Sequence, residues 1–218
     1  MNRLAAALAL PLAAGWGLHT FALRRRLDEA RRDPLTGLWT REPFEEAAAR
    51  LLRAGPCAAV MADLDGLKSV NDTWGHAAGD SLIRAAAWRL DQCVTHVMSG
   101  AVGRLGGDEF AAVLPLPHST ELPLELGNIW DWLVSDAVNV GGRSVWLGAS
   151  IGAAHTDDIG SRHLPTVLRR ADEVMYLAKR GGGGWLSAAP GAPALPTVNG
   201  RRIGRTGTHT EPEGRAEA

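Results

Sequence analysis

The sequence predicts an α+β domain with one N-terminal transmembrane helix in front of it. Segments with strand and helix character follow one another in the order βαββαβα, and the second and third strands are joined by a glycine turn instead of a helix. A chain of 218 residues, 45% of them hydrophobic, is long enough for one globular domain of ordinary size. Residues 4–23 carry no formal charge and are rich in alanine and leucine, unlike the middle of the chain.

The N-terminal apolar run is just long enough to cross a bilayer as a helix. Its proline and glycines weaken that interpretation, although membrane helices tolerate both. A cleaved signal peptide is the alternative, since Met1, Asn2 and Arg3 resemble its charged start. No convincing small-residue cleavage site follows, and three arginines at positions 24–26 favour a cytoplasmic flank. We therefore expect residues 1–23 to anchor the protein in the cytoplasmic membrane, with the remaining domain facing the cytoplasm.

The remaining elements follow from composition and hydrophobic periodicity. Residues 24–32 are highly charged and favour a helical stalk, which ends at Asp33 because a residue before proline is biased away from helix. Apolar residues at helical spacing predict helices over 41–53, 78–93, 121–137 and 164–179. Apolar runs predict strands over 57–63, 97–105, 110–116 and 145–154. The domain is expected over 33–186, followed by a disordered tail over 187–218 with few large apolar residues.

Charge and cysteine content exclude several classes of function. The formal net charge is −1 and the arginines are dispersed apart from the cluster at 24–26, so we do not expect nucleic-acid binding. Cys57 and Cys93 are far apart in the sequence and form neither a disulfide framework nor a zinc motif. Two unclustered cysteines suit a reducing compartment.

Two acidic strand ends are the candidate site. Gly106 and Gly107 lie between two apolar runs and predict a tight hairpin turn, which places Asp108 and Glu109 at its tip. Asp63 ends the apolar run that begins at Cys57. Carboxylates that converge from two strand ends can bind Mg²⁺, which takes one or two carboxylates together with substrate phosphates. A solvated acidic turn is the alternative for the hairpin tip alone.

In these residues the chain resembles the GGDEF-domain diguanylate cyclases, which condense two GTP into cyclic di-GMP. The resemblance covers about two thirds of the chain in five spaced motifs, at residues 33–38, 63–80, 104–110, 150–152 and 171–179. It implies a central, mostly antiparallel sheet with a ferredoxin-like βαββαβ core of the palm type. It also implies Mg²⁺ as cofactor, with Mn²⁺ as a substitute, and a homodimer for catalysis.

The resemblance assigns metal and catalytic roles to several residues. Asp63, the backbone carbonyl of Leu64 and Asp108 match metal-binding positions, and Asp108 also matches the proposed acceptor of the proton from the 3′-hydroxyl. Glu109 could share the metal, and Lys68 matches a position that faces phosphate. The alternative is that both aspartates are cap or turn residues.

Substrate-binding roles are assigned in the same way. Asn71 and Asp80 match positions that read the guanine edge, although Asp80 could instead cap the helix expected to begin near Ser81. His76 is assigned to substrate or to a structural turn, and Lys179 to phosphate or to the solvated surface. Gly106 and Gly107 would let backbone and nucleotide approach closely.

Two departures from the family pattern affect the expected function. Val97 and Gly100 stand where an arginine and an aspartate commonly bind the product as an inhibitor, so feedback through that site should be absent. Gly183 stands where an arginine commonly contacts phosphate, which predicts weak triphosphate binding.

The sequence therefore predicts a membrane-anchored diguanylate cyclase that binds GTP and acts as a homodimer. A catalytically weak or inactive GGDEF domain that serves as a GTP-binding or protein-interaction module is the alternative. A membrane-tethered scaffold with a vestigial nucleotide site is a third interpretation.

Overall fold

The structure is a computed structural model that describes residues 30–191, together with residues 16, 19–21, 25, 197–198 and 201–202. Most of the predicted transmembrane helix, most of the stalk and most of the tail after residue 191 lie outside the described residues. Within the part that is described, no helix combines the length and the apolar character needed to span a membrane.

The described part of the chain contains helices and strands in an irregular order. The helices are α1 (Arg41–Ala54), α2 (Leu67–Trp74), α3 (His76–Leu90), α4 (Leu122–Val134), α5 (Thr156–Ile159) and α6 (Leu164–Arg180). The strands are β1 (Cys57–Asp65), β2 (Ala101–Gly106), β3 (Glu109–Pro115), β4 (Val138–Val140), β5 (Arg143–Val145), β6 (Gly148–His155), β7 (Gly184–Ser187), β8 (Thr197–Val198) and β9 (Arg201–Arg202). A π-helical turn, Asp91–Val97, continues α3, and a 3₁₀ turn, Ser119–Glu121, precedes α4.

The central sheet has the strand order β2-β3-β1-β6-β7. Strand β1 is antiparallel to both β3 and β6, β2 is antiparallel to β3, and only the β6–β7 pair is parallel. The predicted α+β class and the mostly antiparallel sheet are therefore confirmed.

Two apolar clusters cover the two faces of this sheet. One contains buried side chains of α3 and α4, and the other contains buried side chains of α1 and α6. Strand β1 lies between them, and its first eight residues are buried. A strand buried on both faces is uniformly apolar, which explains the run from Cys57 to Ala62. The same strand then delivers Asp63 to the edge of the core.

Several boundaries differ from the sequence predictions. Helix α3 begins at His76, two residues before the predicted start, because Gly75 turns the chain with a φ of 82° directly after α2. The predicted strand 97–105 begins only at Ala101, since the π-helical turn extends to Val97. Residues 138–145 form the separate two-stranded β4–β5 hairpin, so the strand predicted over 145–154 begins at Gly148.

Candidate active site

The predicted convergence of the two acidic strand ends is present. In the antiparallel register, Asp63 of β1 lies opposite Glu109 of β3 on one side and Ser150 of β6 on the other. The backbone N–H of Leu64 donates to the carbonyl of Asp108 at 3.3 Å. The β2–β3 turn is therefore fixed by backbone pairing beside the C-terminal end of β1.

The hairpin turn is one residue further along than predicted. Gly106 pairs with Glu109, which leaves Gly107 and Asp108 as the two turn residues. Gly106 and Gly107 have φ values of 145° and 55°, which are rarely accessible to other residues. Within the described chain, no atom comes within 4 Å of a Cβ added at either glycine. The backbone there is open to a ligand.

Arg104 stabilises this turn through hydrogen bonds to its backbone. Its guanidinium donates to the Gly107 carbonyl from Nε at 3.0 Å and from Nη2 at 2.7 Å. Its Nη1 donates to both carboxylate oxygens of Asp33, at 3.0 and 3.1 Å. Burial alone would raise the pKa of Asp33, but hydrogen bonds from Thr36 and Arg104 and the charge of Arg104 hold it below its usual value. The turn is thereby tied to the start of the domain.

Asp63 is nearly enclosed and carries a cation. Its side chain is 11% exposed, and Lys179 Nζ at the end of α6 donates to its Oδ1 at 2.5 Å. Burial raises the pKa of Asp63, as do the charges of Asp108 and Asp65, against the lowering effect of Lys179. Burial would lower the pKa of Lys179, but the bond to Asp63 and the neighbouring carboxylates raise it. Three carboxylates therefore share one region of negative potential.

Asp65 lies two residues further along β1 than Asp63 and is held by a hydroxyl of β6. The buried hydroxyl of Ser150 donates to its two carboxylate oxygens at 2.9 and 3.1 Å. A Cβ at Gly183 would lie 3.0 Å from Asp65 Oδ2, and the φ of Gly183 is 100°. The glycine run thus borders the acidic cluster, and an arginine at position 183 would be strained.

The donor set fits a hard divalent cation. Asp63 and Asp108 supply carboxylates, and Leu64, whose side chain is buried, could contribute its backbone carbonyl. No group of three or more His, Cys, Asp or Glu side chains within the described residues is arranged to hold a metal alone. Mg²⁺ does not need one, because it binds through one or two carboxylates, water and substrate phosphates. The ammonium of Lys179 already shows that a cation is accommodated at Asp63.

The remaining predicted site residues lie on the helix pair that follows β1. Lys68 and Asn71 belong to α2, which starts two residues after β1 ends, and Lys68 is exposed. His76 is the exposed first residue of α3. Asp80 is the fifth residue of α3, whose N-cap is Gly75, so the predicted alternative of Asp80 as an N-cap is wrong.

Three structural partners of the site were not singled out as site residues from the sequence. They are Arg104, Ser150 and Gly79, of which Gly79 packs against Asn71. Ser150 had one available signal, since it is a polar residue within the apolar run of β6. Arg104 and Gly79 contact residues of other elements. A single sequence contains no signal for contacts between separate elements.

Comparisons with known proteins agree with this geometry. The family model described as "Diguanylate cyclase, GGDEF domain" matches residues 30–184. An uncharacterized 19.3 kDa protein of Streptomyces ambofaciens is 40% identical over 181 residues, which cover 82% of this chain and 94% of that protein. The uncharacterized protein Rv1354c of Mycobacterium tuberculosis is 37% identical over 155 residues, which cover 69% of this chain and 24% of that protein. The chain thus spans about a quarter of this mycobacterial relative.

Among solved structures, the coiled coil and GGDEF domain of DgcB from Caulobacter crescentus, in complex with c-di-GMP, superimposes with a TM-score of 0.72. Its sequence is 27% identical, and the match covers 86% of this chain and all of that one. The family model spans most of the chain and includes both acidic strand ends. The chain therefore belongs to the GGDEF family of diguanylate cyclase domains.

Proposed function

We propose that this protein is an active diguanylate cyclase. Each 3′-hydroxyl of two GTP molecules attacks the α-phosphate of the other, the bond to the β-phosphate breaks, and two pyrophosphates leave as cyclic di-GMP forms. The observation that carries this proposal is the placement of Asp63, Asp108 and Lys179 at one end of β1. Two carboxylates and an ammonium suit phosphoryl chemistry, in which positioning and charge neutralisation dominate.

Asp63, the Leu64 carbonyl and Asp108 would hold Mg²⁺ or Mn²⁺. When bound, the metal supplies neutralisation of triphosphate charge. Asp108 lies at the tip of a turn that Arg104 fixes, which supports a role for its carboxylate as acceptor of the proton of the attacking hydroxyl. Lys179 can move from Asp63 to a phosphate oxygen, because its side chain is 45% exposed. Glu109 stands beside Asp108 as a further carboxylate.

The guanosine would lie over the hairpin turn and the α2–α3 pair. Gly106 and Gly107 leave room for the nucleotide beside the backbone. Asn71 and Asp80 would read the guanine edge, the Asn71 amide nitrogen as donor and the Asp80 carboxylate as acceptor. Lys68 and His76 are exposed on the same pair of helices and are proposed to contact phosphate and substrate.

Catalysis would require a homodimer. Cyclic di-GMP contains two identical linkages, and each protomer presents one set of carboxylates at Asp63 and Asp108. Two protomers that face each other would place each 3′-hydroxyl opposite the α-phosphate held by its partner.

The second candidate is a GTP-binding or interaction module without turnover. The observation that favours it is the run Gly181 to Gly184, which supplies no guanidinium near the acidic cluster. The intact set of carboxylates favours the enzyme.

We also propose that residues 4–23 anchor the protein in the cytoplasmic membrane with the catalytic domain inside. The uncharged run and the three arginines at 24–26 support this orientation. A reporter fused to the C-terminus should be active in the cytoplasm, and activity only on the opposite side would refute the proposal.

The full-length protein should be incubated with GTP and Mg²⁺, and the products separated by chromatography. The cyclase predicts cyclic di-GMP. Saturable GTP binding with no product would favour the module.

A further inference from the structure

One glycine of α3 is in closer contact with a side chain than any other residue type would allow. A Cβ added to Gly79 would lie 2.1 Å from Asn71 Oδ1, 2.9 Å from its Cγ and 3.1 Å from its Nδ2. These atoms form the whole amide group of Asn71. The amide therefore occupies the space that a side chain at position 79 would fill.

Backbone conformation does not explain this glycine. Gly79 lies inside α3 and is absent from the residues with positive φ. A glycine inside a helix is less stable than an alanine, because it loses more conformational freedom on folding. Space for the Asn71 amide is the remaining reason for glycine here.

The helix corner explains how the two residues meet. Helix α2 ends at Trp74, Gly75 turns the chain, and α3 begins at His76. Asn71 lies one turn before this corner and Gly79 one turn after it, so the amide packs on the α3 backbone. Within the described residues, Asn71 Oδ1 is buried and has no hydrogen-bond partner. Packing against Gly79, and not a hydrogen-bond network, holds this end of the side chain.

We propose that Gly79 is a positioning residue for base recognition. Its missing side chain forms a cradle that encloses Asn71 Oδ1 and thereby fixes the direction in which the amide nitrogen donates to guanine. This inference rests on the proposed function, because it assigns Asn71 to the base of GTP. With alanine at position 79, the methyl group would push the amide out of the cradle, and discrimination between guanine and adenine would fall.

The contact itself is tested by thermal unfolding without nucleotide. Gly79→Ala should change the melting temperature less favourably in the wild-type background than in the Asn71→Ala background, because its methyl group must displace the Asn71 amide and this offsets the helix preference of alanine. In the Asn71→Ala background the cradle is empty, so Gly79→Ala should leave the melting temperature unchanged or raise it. The matched control is Gly127→Ala in α4, where a Cβ would meet Trp185 at an ordinary 3.7 Å. An equal change in melting temperature from Gly79→Ala in both backgrounds would overturn the cradle.

The role in recognition is tested by binding of 3′-deoxy-GTP and 3′-deoxy-ATP with Mg²⁺, since neither can react. Gly79→Ala should weaken binding of the guanine nucleotide by about three- to tenfold, the range expected for one hydrogen bond. Binding of the adenine nucleotide should change little. Gly127→Ala should change neither affinity, and Gly79→Ala should add nothing to Asn71→Ala.

Unchanged preference for guanine in a folded Gly79→Ala variant would overturn the inference. If the wild type bound both nucleotides equally, the proposed function would fail and the recognition role with it. The unfolding measurements would then still show whether the cradle exists.

Discussion

Lys179 Nζ lies 2.5 Å from Asp63 Oδ1, so the ammonium is paired with one of the carboxylates that are proposed to bind the metal. The two residues are 116 positions apart and connect the last turn of α6 to the end of β1. Because Asp65 and Asp108 add negative charge nearby, the ammonium stabilises the cluster when no metal is bound. A metal that binds Asp63 through Oδ1 would displace the ammonium, and a phosphate of the nucleotide would then be the partner of Lys179.

Replacement of Lys179 should affect metal and nucleotide in opposite directions. Lys179→Gln removes the competing cation, so Mn²⁺ affinity without nucleotide should rise by about two- to fivefold, the range for a partly exposed ion pair. GTP affinity should fall. Calorimetric titration would measure both. Arg180→Gln is the control, because it removes an equal charge that faces Tyr176. Weaker Mn²⁺ binding by Lys179→Gln would show that the pair does not compete with metal.

Gly152 determines how closely α6 approaches the sheet. A Cβ at this position in β6 would lie 2.1 Å from the backbone N of Met175 and 2.2 Å from the carbonyl of Ala171. Gly152→Ala should therefore reduce the free energy of unfolding by about 1 to 3 kcal/mol, as overpacking does. Urea denaturation would measure it. Gly55→Ala, where nothing lies within 4 Å, should be nearly neutral. Equal stability of the two variants would contradict the close packing of α6.

The Asp33–Arg104 pair should make stability depend on pH in the acidic range. The pKa of Asp33 is lowered on folding from its ordinary value of 3.8. Its contribution is therefore complete above that value and is lost as pH falls towards and through the lower folded-state pKa. The free energy of unfolding of the wild type should exceed that of Asp33→Asn by about 1 to 3 kcal/mol at pH 7. This difference should shrink below about pH 4. Urea denaturation across pH tests this, and a constant difference would be inconsistent with the ion pair.

Product inhibition should be competitive with GTP. Val97 is exposed at the end of the π-helical turn, and it offers no charge to a phosphate. A Cβ at Gly100 would lie 2.7 Å from the Val113 carbonyl, so this position has no room for an aspartate. Initial rates at several concentrations of cyclic di-GMP should extrapolate to one maximal rate. A lower maximal rate at saturating GTP would reveal a second product site.

Much of the fold could be predicted because the spacing of apolar residues along a helix or strand reflects which of its faces is buried. Strand β1 and helices α1, α4 and α6 follow this rule, and their ends lie close to the predicted ones. Helix α2 has only one buried residue, Leu67, so it has little periodicity to detect. Strand β7 was not predicted, since its four residues acquire strand structure only by pairing with β6. Pairing between distant segments has no local signal.

The candidate site also contains residues that the sequence predicts and residues that it does not. Asp63 and Asp108 could be predicted because each follows an apolar run, and strand ends meet at sheet edges. The contacts around these two residues could not be predicted. The hydrogen bond from Ser150 to the neighbouring Asp65, for example, joins residues 85 positions apart. The capping role considered for Asp80 was wrong for a local reason, since the positive φ of Gly75 starts α3 earlier.

The most direct measurement is the yield of cyclic di-GMP and pyrophosphate from GTP and Mg²⁺ by the wild type and by Asp108→Ala. The wild type should release two pyrophosphates for each cyclic di-GMP. Asp108→Ala should remain folded, because the Asp108 side chain lies at a turn braced by Arg104 through the Gly107 carbonyl, and it should form no product. Turnover by Asp108→Ala at the wild-type rate would contradict the proposed mechanism, and a folded wild type that binds GTP without forming product would contradict the proposed function.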